Sequence, residues 1–151
     1  MLSASSSLTR HLMTDSASLI QSLKMTPHPE GGHFAETFRA DDGSASLIFY
    51  LLGNDERSHW HRLTKNEILH FYDGDPMTVL LSPDGVSIQT QMLGREGFDN
   101  EPYQLIVPKD TWFSMQSTGN WSLIGCTVSP AFSFDDFELA PRDWMPGHGH
   151  P

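Results

Sequence analysis

The chain has 151 residues, 38% of them hydrophobic and 11% aromatic, which suits one domain with a substantial core. Nine Lys and Arg against nineteen Asp and Glu give a formal charge of −10, which repels phosphate backbones and anionic lipid and argues against nucleic-acid and membrane partners. The single cysteine, Cys126, excludes an internal disulfide framework and fits a reducing, cytoplasmic setting.

Residues 1–17 are serine-rich, with Arg10 their one basic residue, and read as a disordered leader; His11 falls within it and takes no role. Ser16 to Met25 (SASLIQSLKM) has the apolar spacing of a short amphipathic helix, stopped by Pro27 and Pro29. Paired glycines after Glu30 indicate a backbone that turns tightly or passes close to another group. The run from His33 to Arg39 has mixed faces, as in a strand lining a wet cavity or a solvated edge strand. Ala45 to Leu52 reads as a strand buried on both faces. After Asp73-Gly74, Met77 to Ser82 and VSIQTQML form a hairpin about Pro83-Asp84-Gly85. Gly94 to Pro102 is a loop, and Tyr103–Val107, Trp112–Ser117 and Trp121–Val128 complete the strands. Cys126, in the apolar run SLIGCTV, reads as a buried inert thiol. Many short strands punctuated by Gly, Pro and Asp, with one helix, make an all-β sandwich or barrel over 18–140, followed by a Pro/Gly-rich flexible tail at 141–151. No stretch approaches the ~18 apolar residues of a membrane span.

The chemistry concentrates between Gly53 and Gly74 (GNDERSHWHRLTKNEILHFYDG), which holds His59, His61, Glu67 and His70. Histidines at i and i+2 share a face only on an extended strand, so His59 and His61 are expected side by side, with Glu67 brought alongside by a turn through Thr64-Lys65-Asn66. Two chemistries fit. A histidine held by a carboxylate, His61 with Glu67, runs acid–base catalysis and needs no cofactor. Alternatively His59, His61 and Glu67 form a two-histidine, one-carboxylate set for a divalent metal such as Fe, Mn, Zn or Ni. His70 is out of phase with Glu67 and joins the catalytic set only if a bulge intervenes; otherwise it is a packing histidine. Arg39 and Arg62 are candidates for holding a phosphate or carboxylate, with surface ion pairs as the alternative. Tyr50, Tyr72 and Trp112 offer flat surfaces for a sugar or base ring, or else pack in the core. Trp60, between the two histidines, should point away from them.

Gly53-x5-His59-x-His61-x5-Glu67-x6-Gly74 resembles the first motif of the cupin superfamily, with one extra residue before the glutamate. PHPEGGHFAETFR (27–39), HRLTKNEILHFYDGDPMTV (61–79), VPKDTWF (107–113) and GCTVSPAFSFDDFEL (125–139) are together similar to the blocks of cupin family 5. The resemblance implies a double-stranded β-helix (jelly roll), a homodimer, and a small-molecule pocket in the barrel mouth. It places Glu30, His33 and Glu36 at the pocket edge, against ligand hydroxyls. It further implies an epimerase- or isomerase-like activity on a carbohydrate or sugar-nucleotide-like ligand, with His61 as base, Glu67 orienting it, and Arg39 or Arg62 holding an anionic part. A metal-dependent oxygenase, lyase or hydrolase and a non-catalytic metabolite-binding module remain alternatives. Where metal-binding cupins supply a histidine from the second motif, this chain has Phe113, which cannot ligate.

Overall fold

The structure, a computed structural model, describes residues 15–151; most of the leader expected at 1–17, His11 included, lies outside the described residues. Helix α1 (Ser16–Ser22) is one turn shorter at its C-terminus than the sequence pattern suggested. Its N-cap is Asp15, whose carboxylate accepts the Ser18 N–H at 2.8 Å. Leu19, Ile20 and Leu23 pack with Met25 against Leu51, Trp121 and Leu123. That contact covers the outer face of one sheet.

The strands are β1 (Thr26–Pro27), β2 (His33–Arg39), β3 (Ser46–Gly53), β4 (Arg57–Leu63), β5 (Asn66–Gly74), β6 (Met77–Ser82), β7 (Gln89–Leu93), β8 (Gln104–Val107), β9 (Trp112–Ser117), β10 (Trp121–Ser129) and β11 (Phe137–Leu139). They form two antiparallel sheets, β1-β2-β3-β10-β5-β8 and β11-β4-β9-β6-β7, in the arrangement of a jelly roll. Alternation decides what each strand buries. On β3, Tyr50 and Leu52 face the barrel interior, while Leu51 faces α1. On β5, Glu67, Leu69 and Phe71 point inward, and His70 and Tyr72 point out. The central core of Leu52, Leu69, Met77, Val79, Phe113 and Ile124 fills one end of the barrel, and the polar cavity described below occupies the other.

A separate cluster lies on the outer face of the second sheet, where Trp60 and Trp112 meet Ala140 and Trp144. Trp144 stands edge-on to Trp60 (ring centroids 6.4 Å apart, 87°) and 4.8 Å from Trp112. Its indole N–H donates to the Gly149 carbonyl at 3.0 Å. The segment after 140 therefore docks on the barrel instead of trailing as a flexible tail, because an indole there has apolar surface to cover. Among the described residues, no helix is long and apolar enough to cross a membrane.

Trp144→Ala should lower unfolding stability by about 3 kcal/mol, the usual scale for emptying a buried tryptophan site. Urea denaturation monitored by circular dichroism measures this; a loss below about 1 kcal/mol would mean that the tail contributes little to the fold.

Candidate functional site

The Pro-Glu-Gly-Gly turn before β2 positions the first functional group. Gly31 and Gly32 sit at φ +113° and +73°. A Cβ on Gly31 would strike the Arg57 carbonyl, and one on Gly32 would lie 2.6 Å from the Leu51 carbonyl oxygen. Only glycine lets the chain pass this close, and the pass carries Glu30 beneath β4. Two hydrogen bonds hold it there: the Tyr50 hydroxyl donates to the Gly31 carbonyl at 2.5 Å, and the His59 N–H donates to the Glu30 carbonyl at 2.8 Å.

Strand β4 is irregular between Ser58 and His61, where its register against β9 shifts. The bulge turns both Ser58 and His61 into the barrel and breaks the alternation on which the His59–His61 pairing was based. His61 Nδ1 donates to the His59 carbonyl at 2.7 Å, so Nε2 carries the lone pair of the neutral ring. That lone pair is 3.2 Å from Glu30 Oε2, the same oxygen that accepts the Ser58 hydroxyl. His28 Nδ1 accepts the Glu30 backbone N–H at 3.1 Å and faces Glu30 Oε1 at 3.3 Å. Glu30 Oε2 thus meets the lone pair of His61 Nε2, a contact that is attractive only when a proton sits between them. Phe113 packs its ring 4.0 Å from the His61 ring, which fixes the imidazole from the other side.

These groups open into a cavity of about 40 Å³. Glu30, His28, His61 and Glu67 supply its polar wall; Phe34, Ile48, Leu63, Val128 and Phe137 are among its apolar lining. Burial is the first cause of every shift in ionisation here. It raises Glu30 from its ordinary 4.5 to about 7, against the lowering effect of His28 and the Ser58 hydrogen bond. Burial, aided by the nearby Glu30 charge, raises Glu67 to about 8, although a hydrogen bond with Cys126 pulls the other way. Burial lowers His61 from 6.5 to about 4 despite its bond to the His59 carbonyl, and lowers His28 as well. At neutral pH the cavity holds neutral imidazoles and a carboxylic acid at Glu67, with Glu30 close to half-protonated.

The roof comes from the segment after β10. Lys65 pairs with Asp136 at 2.6 Å and donates to the Ala131 carbonyl at 2.8 Å, and the Thr64 hydroxyl donates to Asp136 at 2.7 Å. This clamp on the β4–β5 turn lays Phe132 and Phe137 over the cavity. An outer groove of about 320 Å³, with Glu36 and Arg39 on its walls, continues from the cavity across Phe34, Ser46, Ile48 and Phe132.

The structure brings only part of the expected constellation together. His61 and Glu67 line one cavity, but the carboxyl partner of His61 is Glu30, not Glu67. His59 leaves the cavity: its Nε2 donates to the Pro141 carbonyl at 2.9 Å. The donor set His59, His61 and Glu67 therefore does not converge. His61 has both ring nitrogens engaged, and Phe113 covers its face. Among the described residues no group of three or more His, Cys, Asp or Glu side chains is arranged to hold a metal ion, so the residues present do not fit one. His70 and Tyr72 stack on each other on the outer face of β5, His70 donating to or accepting from the Thr127 hydroxyl at 2.9 Å; no bulge turns His70 inward. Tyr50 is buried as a strut behind Gly31, and Trp112 belongs to the outer tryptophan cluster. Arg62 pairs with Glu138 at 2.8 Å and lies over Trp112, away from the cavity. Arg39 pairs with Glu36 at 2.6 Å in the outer groove, and His33 faces Glu56 at 3.4 Å. His28, Ser58, Phe132 and Phe137 were not singled out from the sequence. Only the rigid Pro-His-Pro beside Glu30 hinted at the first of them.

The comparisons with known proteins agree with this fold. A family model described as Cupin superfamily (DUF985) matches residues 17–140. A crystal structure of a protein from Shewanella oneidensis is similar at 37% identity and a TM-score of 0.78, covering 85% of each chain. A hypothetical protein from Leishmania major is similar at 25% identity and a TM-score of 0.75, with 84% of this chain and 88% of that one covered. A dTDP sugar isomerase from Desulfovibrio desulfuricans shares the fold at 19% identity and a TM-score of 0.55, over 75% of this chain and 83% of that one. No curated protein matches the chain in sequence.

The raised carboxyls give the folded state more bound protons than the unfolded chain above pH 4.5, while the lowered histidines give it fewer below pH 6.5. The two effects oppose each other in the overlap; above 6.5 the histidine effect fades and the carboxyls dominate. Stability should therefore fall by about 2 kcal/mol between roughly pH 6.5 and 8, and Glu67→Gln should remove roughly half of that fall or more. Chemical denaturation across this range provides the test, and a flat profile in the unsubstituted protein would contradict the buried-carboxyl assignment.

Proposed function

This chain belongs to the cupin superfamily, in the family DUF985, and we propose that it binds a small uncharged carbonyl compound in the barrel cavity and moves a proton on it, as an isomerase or epimerase does. The observation that carries the reading is the Glu30 carboxyl held between the His28 and His61 rings, with a second buried carboxyl, Glu67, on the wall of the same cavity. A general base works best with a pKa near the operating pH, and Glu30 at about 7 meets that condition. Glu67 at about 8 stays protonated at neutral pH and serves as hydrogen-bond donor and acid.

In the proposed step, ionised Glu30 takes a proton from the carbon next to the carbonyl. The C–H electron pair moves into the new C=C bond, and Glu67 donates its proton to the oxygen that gains charge. Glu30 then returns its proton to the former carbonyl carbon while the neighbouring hydroxyl, which becomes the new carbonyl, gives its proton to Glu67, so that aldose–ketose isomerisation restores both carboxyls. Epimerisation needs in addition that the proton reach the original carbon from the face opposite Glu30, with the enol proton going back to Glu67. Neither outcome needs an oxidant or a metal. His61, fixed by the His59 carbonyl and Phe113, orients the Glu30 carboxyl and shares its proton.

Size limits the ligand. One water needs ~10–15 Å³ of such space, so the cavity of about 40 Å³ takes only a few heavy atoms. The reacting end of a sugar fits; a nucleotide or the remainder of a longer ligand would have to lie in the outer groove beside Arg39. Neutral acids and imidazoles also disfavour an anionic head group inside. The reading includes a homodimer, as the family resemblance implies, which sedimentation equilibrium would measure.

A thermal-shift screen over small aldoses, ketoses and hydroxy-carbonyl compounds finds the ligand, since a binder at a hundred times its dissociation constant adds ~2.7 kcal/mol. In D2O, the bound compound should then exchange the hydrogen next to its carbonyl, and Glu30→Gln should slow that exchange about a hundredfold or more while changing affinity only a few-fold. Binding without exchange in the unsubstituted protein would replace this reading with non-catalytic metabolite binding.

A further inference from the structure

On the far side of Glu30 from the cavity runs a second and larger depression of about 660 Å³, between the start of β4 and the docked C-terminal segment. Arg57 and His59 line it from the strand, and Arg142, Asp143 and Met145 from the tail. We propose that this groove binds a small phosphate-bearing molecule, held by Arg57 and Arg142.

Charge is the first argument. The chain carries a net −10, and an acidic protein readily finds carboxylates for its few cations. Arg39, Arg62 and Arg95 are paired in this way, with Glu36, Glu138 and Asp73. Arg57 and Arg142 are both exposed, and among the described residues neither makes an ion pair or a side-chain hydrogen bond. These two guanidinium groups come from distant parts of the sequence, β4 and the C-terminal segment, and line one concavity. Asp143 is the one acidic side chain on the tail's wall. The Glu30 carboxyl does not oppose them, since both of its oxygens turn inward to His28, Ser58 and His61.

Chemistry favours phosphate: a phosphomonoester presents three acceptor oxygens against a carboxylate's two, and so offers more to a pair of guanidinium forks. His59 forms part of the groove wall, its ring fixed there by the Nε2–H donated to the Pro141 carbonyl. Leu139 and Met145, 40% and 42% exposed, give the groove an apolar edge, so a ligand with a hydrophobic or aryl body beside its phosphate suits it better than phosphate alone. The site is separate from the barrel chemistry and stands whether or not the cavity is catalytic.

Isothermal titration of the full chain with phenyl phosphate, inorganic phosphate and succinate tests the proposal in low-salt buffer at neutral pH. Phenyl phosphate should bind more tightly than inorganic phosphate, and succinate should bind weakest. Arg57→Gln and Arg142→Gln should each weaken phenyl phosphate about tenfold, Arg95→Gln should leave it unchanged, and added NaCl should weaken it in the unsubstituted protein. Both arginines are exposed, so their replacement should leave the thermal midpoint in place. No binding of either phosphate at concentrations on the order of 10 mM would overturn the assignment. So would affinity that survives both substitutions, or succinate binding as tightly as phenyl phosphate.

Discussion

The organisation of this barrel turns on a single buried proton. Glu30 is enclosed by His28, Ser58 and His61, and backbone bonds set the two rings: His61 Nδ1 donates to the His59 carbonyl and leaves the Nε2 lone pair toward Glu30 Oε2, while His28 Nδ1 accepts the Glu30 N–H beside Oε1. With no proton in the cluster, carboxylate oxygens would face ring nitrogens that have none to offer, in a medium that screens poorly. The fold answers by keeping the imidazoles neutral and the carboxyls protonated far above their usual range. Much of the local backbone can be understood as the means of holding that group in place, from the double-glycine turn to the Tyr50 strut and the irregularity in β4.

The strands were largely legible in the sequence because their signal is local. Turn residues and alternation placed Met77–Ser82 and Trp112–Ser117 at their observed bounds and Ala45–Leu52, Tyr103–Val107 and Trp121–Val128 within a residue of theirs, whereas the short β1 and β11 carried no such signal. The outward direction of Trp60 followed from the same rule. The site was less legible. Pairing His59 with His61 assumed perfect alternation, and one register shift between Ser58 and His61 was enough to send the two rings to different surfaces. Glu67 does face inward with His61, but Glu30, far upstream of β4, competes for that histidine, and sequence distance gives no measure of such proximity. Glu30 itself stood out only as part of a family-like block. His70 shows the opposite case, where strict alternation held and its outward position followed.

Aromatic side chains divide the functions of the interior. Phe113, at the position where the cupin resemblance would put a metal ligand, instead lies against the His61 ring. Phe132 and Phe137 close the top of the cavity, held there by the polar clamp from Thr64 and Lys65 to Asp136. An apolar lid over titratable groups keeps water from levelling their affinities for protons, which is how a carboxylic acid remains available near neutral pH.

The docked C-terminal segment has an implication for how this protein compares with its kin. The family model covers residues 17–140, while Arg142 and Trp144 both lie beyond that limit. Membership in the family therefore does not oblige a relative to possess the groove between β4 and the tail, even where its barrel superimposes strand for strand.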